Sequence, residues 1–291
     1  MAGVNDPVFR AICRRMGAGL TYTEMISAKG LAYNNKRTLE MIATLPEDEP
    51  FAVQLFGNEP EIMAAEARKL EEQLGGRLAL IDINMGCPAR KVASTGSGVA
   101  LLQKPELAAS VVSAVSSAVK LPVTVKMRLL YESDDAATLT FAQSMAQNGA
   151  AAVALHGRTA EQYYHGTARK DVIGLLAQEM RIPIIASGDV FSQEDIEDYW
   201  RQGAKAVMVA RGARGNPWIF ANKKPSLPEI VDLAREHTVR LYEWAPWKLV
   251  WMRKHLAWYF KGSAYALKVR KAVQTAITLE DYLAILDGAS V

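Results

Sequence analysis

Residues 123–156, VTVKMRLLYESDDAATLTFAQSMAQNGAAAVALH, decide the fold. A β-rich run at 123–128 is followed by a helical pattern over 135–148. Gly149 then stops the helix, and a second apolar run begins at 151. Strand, helix and strand in so short a stretch make one βαβ unit, whose two strands must lie parallel. The same unit recurs on both sides. Strand candidates lie at 20–25 (LTYTEM), 51–56 (FAVQLF), 79–84 (ALIDIN), 183–187 (PIIAS) and 206–211 (AVMVAR). Helical patterns fill 6–16, 59–74, 105–119, 170–180 and 192–202. Most of the strand runs read as continuously apolar, as parallel strands covered on both faces do.

Repeated strand–helix units of this kind predict an α/β chain built as a (β/α)₈ TIM barrel. Seven strands are visible. The first helical pattern starts just after Met1, so the expectation is a first strand that is truncated or missing. A doubly wound open sheet is the competing architecture, but no G-x-G-x-x-G follows a strand and no P-loop exists. After Pro225 no strand pattern appears, and helical periodicity runs through 228–244, 246–261, 264–275 and 279–286. The expected division is a barrel domain over 1–225 and an all-helical domain over 226–291.

Composition narrows the class of function. The chain has 291 residues, 50% apolar and 22% charged, with a net charge of +3. That balance excludes a disordered chain. No apolar run reaches the roughly 18 residues needed to span a bilayer. Two cysteines, Cys13 and Cys87, make no disulfide scaffold, and the four histidines show no zinc spacing. No basic-then-apolar segment opens the sequence. The expectation is a cytoplasmic protein, without metal, acting as a monomer.

In a barrel the active site lies where the strands end. The polar residues there are Glu24, Gln54, Asn84 with Cys87, Lys126 with Arg128, His156 with Arg158, Ser187 to Asp189, and Ala210 to Gly212. The last two groups are glycine-containing turns after neighbouring strands, a place where barrels bind phosphate through backbone N–H groups. They could equally be tight turns and nothing more. Lys126 and His156 suit an anionic ring or a phosphate, and Gln54 suits the edge of a heterocycle. Core histidine and core glutamine are the plain alternatives. Cys87, in the turn Asn84 to Pro88, is placed to act as nucleophile or proton donor. Cys13 reads as packing. The stretch 89–98 reads as a mobile loop at the mouth or as simple connection. Residues 248–271 carry Lys248, Arg253, Lys254, Lys261, Lys268, Arg270 and Lys271, no acid, and five interleaved aromatics. That composition fits phosphate contact with base stacking, or a solvated face over a helical core.

These residues resemble the tRNA-dihydrouridine synthases. The matching stretches are MAGV at 1–4, VQLFG at 53–57, DINMGCP at 82–88, VKMR at 125–128, HGR at 156–158, SGD at 187–189 and RGARGNPW at 211–218. RKHLAWY at 253–259 matches more weakly. The resemblance implies an FMN-bearing barrel and a helical tRNA-binding domain. It implies reduction of chosen uridines in tRNA to 5,6-dihydrouridine, with NADPH or NADH reducing the flavin. Met1, Ala2, Gln54, Lys126, His156, Ser187, Gly188, Asp189, Ala210, Arg211 and Gly212 would hold FMN. Hydride would pass from flavin N5 to uracil C6 and Cys87 would protonate C5. Asn84, Arg128, Arg158, Arg253 and Lys254 would contact substrate. The family commonly has Asn where Ser187 stands and Gly where Ala210 stands, and Leu-Ala-Pro before Met1.

Three other readings compete. A flavin barrel acting on a small molecule would not need the basic helical segment. An RNA-binding protein without catalysis would need neither flavin nor Cys87. A flavin-free phosphate-binding barrel would leave Cys87 and the aromatic run unexplained.

Overall fold

The computed structural model describes Met1 and residues 3–289. Its centre is a seven-stranded sheet: β1 (Tyr22–Ser27), β2 (Phe51–Phe56), β3 (Leu78–Met85), β4 (Val123–Arg128), β5 (Ala152–His156), β6 (Ile184–Ser187) and β7 (Ala206–Met208). The strands pair in sequence order and every pair is parallel, with β1 and β7 at the two edges. Helix α1 (Pro7–Arg15) precedes β1, the short helices Ala28–Ala32 and Lys36–Glu40 join β1 to β2, and α2 (Pro60–Leu74), α3 (Pro105–Ala118), α4 (Asp135–Gln147), α5 (Asp171–Glu179) and α6 (Gln193–Arg201) follow β2 to β6 in turn. Parallel strands need such crossovers, and these helices cover the sheet's outer face.

Register explains what each face is for. Val53, Leu55, Ile81, Ile83, Val125, Met127, Val153 and Leu155 bury against Met63, Leu70, Val111, Phe141, Met145 and Ile173 of the helices. The alternate positions align across strands on the opposite face: Gln54 with Asp82, Asn84 with Lys126, Arg128 with His156, His156 with Ser187. The strands are therefore not apolar throughout. Three central ones carry a polar inner row, and Ala154 and Ile185 on the same row make their neighbours look continuous. β7 ends at Met208, before the expected 211, because Ala210 (φ −116°, ψ −86°) leaves extended geometry and the turn Arg211–Ala213 follows.

From Leu227 the described residues form helices only: α7 (Leu227–Trp244), α8 (Met252–Tyr259), α9 (Ala266–Ala272) and α10 (Leu279–Asp287). Pro246–Trp251 is a 3₁₀ turn, so the run expected at 246–261 divides in two. These helices share a second core with α1: Val8 and Ile12 pack with Val231, Leu241, Met252, Leu256 and Tyr259. Beneath that core lies a buried polar group. Asp6 caps α1 by accepting from Phe9 N (2.8 Å), and it faces His237 of α7 (3.6 Å) and His255 of α8 (3.5 Å). Burial opposes the Asp6 charge, but His237 and then His255 outweigh it and hold its pKa down at about 2. Burial, with His237 alongside, pushes His255 down to about 3. No described helix is long and apolar enough to cross a membrane.

Candidate active site

The polar inner row ends in a connected chain of hydrogen bonds. Thr124 Oγ1 donates to Asp82 Oδ1 (2.5 Å) and Gln54 Nε2 donates to Asp82 Oδ2 (2.6 Å). A carboxylate only accepts, so Gln54 must turn its amide nitrogen toward it. Its Oε1 is then left to accept from Asn84 Nδ2 (2.9 Å). Asn84 Oδ1 in turn accepts from the N–H groups of Gly86 (3.2 Å) and Cys87 (2.9 Å). The thiol of Cys87 is free and half-exposed at the strand ends. Its loop is pinned further by Val99 N donating to Cys87 O (3.2 Å).

Lys126 stands beside this chain, half-buried, with no hydrogen-bond or ion-pair partner among the described residues. Burial drives its pKa down and that of Asp82 up, and each opposes the other's shift. His156 is pushed to about 2 by burial and by Lys126, Arg128 and Arg158, so the ring is neutral. Arg158 Nη1 approaches His156 Nε2 at 3.3 Å. An arginine can only donate, which leaves the ring proton on Nδ1.

The turns after β6 and β7 complete the mouth. Asp189 receives both Nη atoms of Arg158 (2.9 and 2.5 Å), Nη2 of Arg211 (2.6 Å) and Ala168 N (2.9 Å). Gly188 (φ +118°) lets the first turn close over His156, since a Cβ there would lie 2.7 Å from the ring. At Gly212 a Cβ would lie 2.1 Å from Val190 O, so only glycine lets the two turns touch. The backbone N–H groups of Gly188, Asp189, Arg211 and Gly212 have no acceptor among the described residues.

The structure thus gathers Met1, Gln54, Asn84, Cys87, Lys126, Arg128, His156, Arg158, Ser187 to Asp189 and Ala210 to Gly212 at one end of the sheet. Met1 packs against the core at its edge. Ala2 lies outside the described residues. Arg128 and Arg158 are buried (2% and 1% exposed) and largely engaged. Arg128 donates to the carbonyls of Gly86, Thr159 and Tyr163, and Arg158 to those of His165 and Gly166. Both brace the loop that follows β5. Lys254, half-buried, faces Gly3 and lies over the Trp251 ring at 5.1 Å. Arg253 stands apart, donating to Ala276 O (2.9 Å) beneath α10.

Sequence reasoning did not single out Asp82, Tyr163, Tyr164 or Arg214. Tyr164 lies under the guanidinium of Arg211 (4.5 Å) and near His156 (6.3 Å), while Tyr163 Oη donates to Pro88 O (3.3 Å) beside Cys87. Two adjacent tyrosines, separated from HGR by four residues, were the available signal. Arg214 lies over Trp258 at 5.0 Å.

A cationic mouth with unpaired backbone donors, a positioned thiol and a neutral histidine gives this α/β fold the make-up of an enzyme's active site at its strand ends. A family model described as Dihydrouridine synthase (Dus) matches residues 1–289. The tRNA-dihydrouridine synthase B of Xanthomonas campestris is 37% identical over 299 aligned positions, spanning 98% of this chain and 89% of that protein. The protein of that name from Pseudomonas aeruginosa is 37% identical, spanning 89% and 81%. A probable tRNA-dihydrouridine synthase 1 of Synechocystis is 36% identical, spanning 99% and 84%. The chain belongs to the dihydrouridine synthase family.

Proposed function

We propose that this enzyme reduces particular uridines in tRNA to 5,6-dihydrouridine, with FMN as its redox group and NADPH or NADH as the reductant. The observation that carries this reading is the meeting, at one mouth, of the Cys87 thiol with unpaired backbone donors and the unpartnered cation Lys126. That set fits FMN: a dianionic phosphate against the 188–189 and 211–212 N–H groups and Arg211, and a heterocycle edge against Gln54, Lys126 and His156. Ser187 and Ala210 leave those backbone donors unchanged. FMN, once bound, supplies the hydride that uracil C6 receives.

The chain does the rest. Lys126 places positive charge beside the heterocycle, where developing negative charge gains most in a partly dry site. Asn84 fixes the backbone of Cys87, so that the thiol can give its proton to C5. The uridine must be splayed out of the folded tRNA to reach the mouth. Arg128 and Arg158 support that pocket by holding the loop with Tyr163 and Tyr164. Residues 226–291 act as the tRNA-binding domain, and the chain works as a cytoplasmic monomer.

An absorbance spectrum tests the cofactor: flavin bands that bleach on anaerobic addition of NADPH are expected. Cys87→Ala then tests the proton donor. It should keep flavin and tRNA binding and lose roughly 10²–10⁴-fold in dihydrouridine formation, the usual contribution of a general acid. Unchanged turnover would remove Cys87 from the chemistry.

A further inference from the structure

We propose that the cleft between residues 191–193, after β6, and residues 216–224, beyond the turn after β7, is a subsite for one further nucleotide of the RNA, beside the uridine in the mouth. This rests on the reading that RNA is the substrate. The cleft is a cavity of about 260 Å³ bounded by Phe191, Gln193, Asn216, Asn222, Lys223 and Lys224. Small-molecule pockets begin near ~300 Å³, so this volume suits one base and its sugar and is small for a dinucleotide.

Its chemistry is that of base recognition. The Phe191 ring is 52% exposed and lies against the Arg211 guanidinium at 5.4 Å. The side chains of Gln193, at the start of α6, and of Asn216 and Asn222, at the two ends of the 3₁₀ turn Pro217–Ala221, line the cleft, and none has a hydrogen-bond partner among the described residues. Each carboxamide offers donors and an acceptor to a base edge. Lys223 is held by Glu229, whereas Lys224 is exposed and has no ion-pair partner among the described residues. Stacking face, carboxamides and a free cation are the elements with which proteins hold an unstacked nucleotide of RNA.

Position supplies the second argument. Arg211 links mouth and cleft: it donates to Asp189 on one side and lies against the ring of Phe191, which lines the cleft, on the other. A strand whose uridine enters the mouth has its neighbouring nucleotide within reach of Phe191. The cleft therefore helps choose which uridine is presented, through the identity of the base next to it.

The test measures binding of tRNA lacking dihydrouridine to the flavin-loaded protein and to Phe191→Ala, Phe191→Tyr and Gln193→Ala. Loss of a stacked base predicts about five- to 150-fold weaker binding for Phe191→Ala. Phe191→Tyr should restore it, and Gln193→Ala should weaken it less. In dihydrouridine formation the loss should fall on KM, while flavin reduction by NADPH in Gln193→Ala keeps its rate. Unchanged tRNA affinity in Phe191→Ala and Gln193→Ala would overturn the proposal. So would a raised KM for NADPH with tRNA affinity intact, which would assign the cleft to the reductant. A wild-type protein that binds tRNA, loses binding in Phe191→Ala, yet never forms dihydrouridine would keep the cleft and remove the proposed activity.

Discussion

Asp82 has no direct contact with the Cys87 loop, yet it decides how that loop is held. Because it can only accept, it sets the direction of Gln54, then of Asn84, and so leaves Asn84 Oδ1 aimed at Cys87 N. Asp82→Asn turns one of the two acceptors into a donor, and because Thr124 Oγ1 can accept as well as donate, the new amide can face either Thr124 or Gln54, so Gln54 is no longer held in one direction. Where the amide faces Gln54 the chain reverses: Gln54 turns its oxygen to residue 82, Asn84 turns its oxygen to Gln54, and Cys87 N loses its partner. We expect kcat for dihydrouridine formation to fall at least tenfold, with flavin still bound. The double change Asp82→Asn with Gln54→Glu puts an acceptor-only group in the middle of the chain. Asn84 can then resume its orientation, and part of the lost kcat should return. A single variant with normal kcat would show that Cys87 does not depend on this chain.

Between elements, the seam joining α1 to α7 and α8 carries a pH dependence of known sign. Asp6 has its pKa lowered to about 2, so its contribution is present above the ordinary carboxylate value near 3.8 and is lost as pH falls toward 2. His255 is lowered to about 3 from 6.5, so it stays neutral when folded but takes a proton when unfolded. Between those values the unfolded state binds the extra proton, and stability falls with falling pH by up to ~1.4 kcal/mol per pH unit for each such histidine. His156 behaves alike over a similar range. Unfolding by urea at pH 7, 6, 5 and 4 should show a steady loss, and His255→Gln should flatten the slope by about one proton. An identical slope in that variant would mean that His255 is already charged in the fold.

The alternation of strand and helix was legible because parallel strands must be separated by crossovers, and each crossover leaves its own periodicity. Strand ends named most of the mouth for the same reason. The polar inner row was harder to see, since Ala154 and Ile185 hide the period of two where the sheet needs small or apolar inner side chains. The carbonyl-bound state of Arg128 and Arg158 was not legible at all. Their partners at Gly86, Thr159, Tyr163, His165 and Gly166 belong to loops whose paths exist only once the sheet has formed.

For the whole molecule, the basic run at 248–271 separates into two populations that sequence alone treats as one. Lys248 is 9% exposed, lies over Trp244 and Trp251, and pairs with Glu40 at 3.2 Å. Arg253 is spent on Ala276 O and Lys268 on Gly288 O. Tyr259 and Phe260 lie within the second core, and Trp251 and Tyr265 pack against it. Lys261, Arg270 and Lys271 are left exposed. If the helical segment binds tRNA, these three should supply the phosphate contacts. Each such contact contributes about 0.7–0.9 to the slope of log affinity against log salt. Lys261→Ala with Arg270→Ala and Lys271→Ala should therefore reduce that slope by about two to three, weaken tRNA binding at low salt, and leave flavin reduction by NADPH unchanged. Arg253→Ala, by contrast, should cost thermal stability, because it unties α8 from the turn before α10, and should leave the salt slope alone. A triple variant with the wild-type slope would move the tRNA contact off this surface and onto the rim of the mouth.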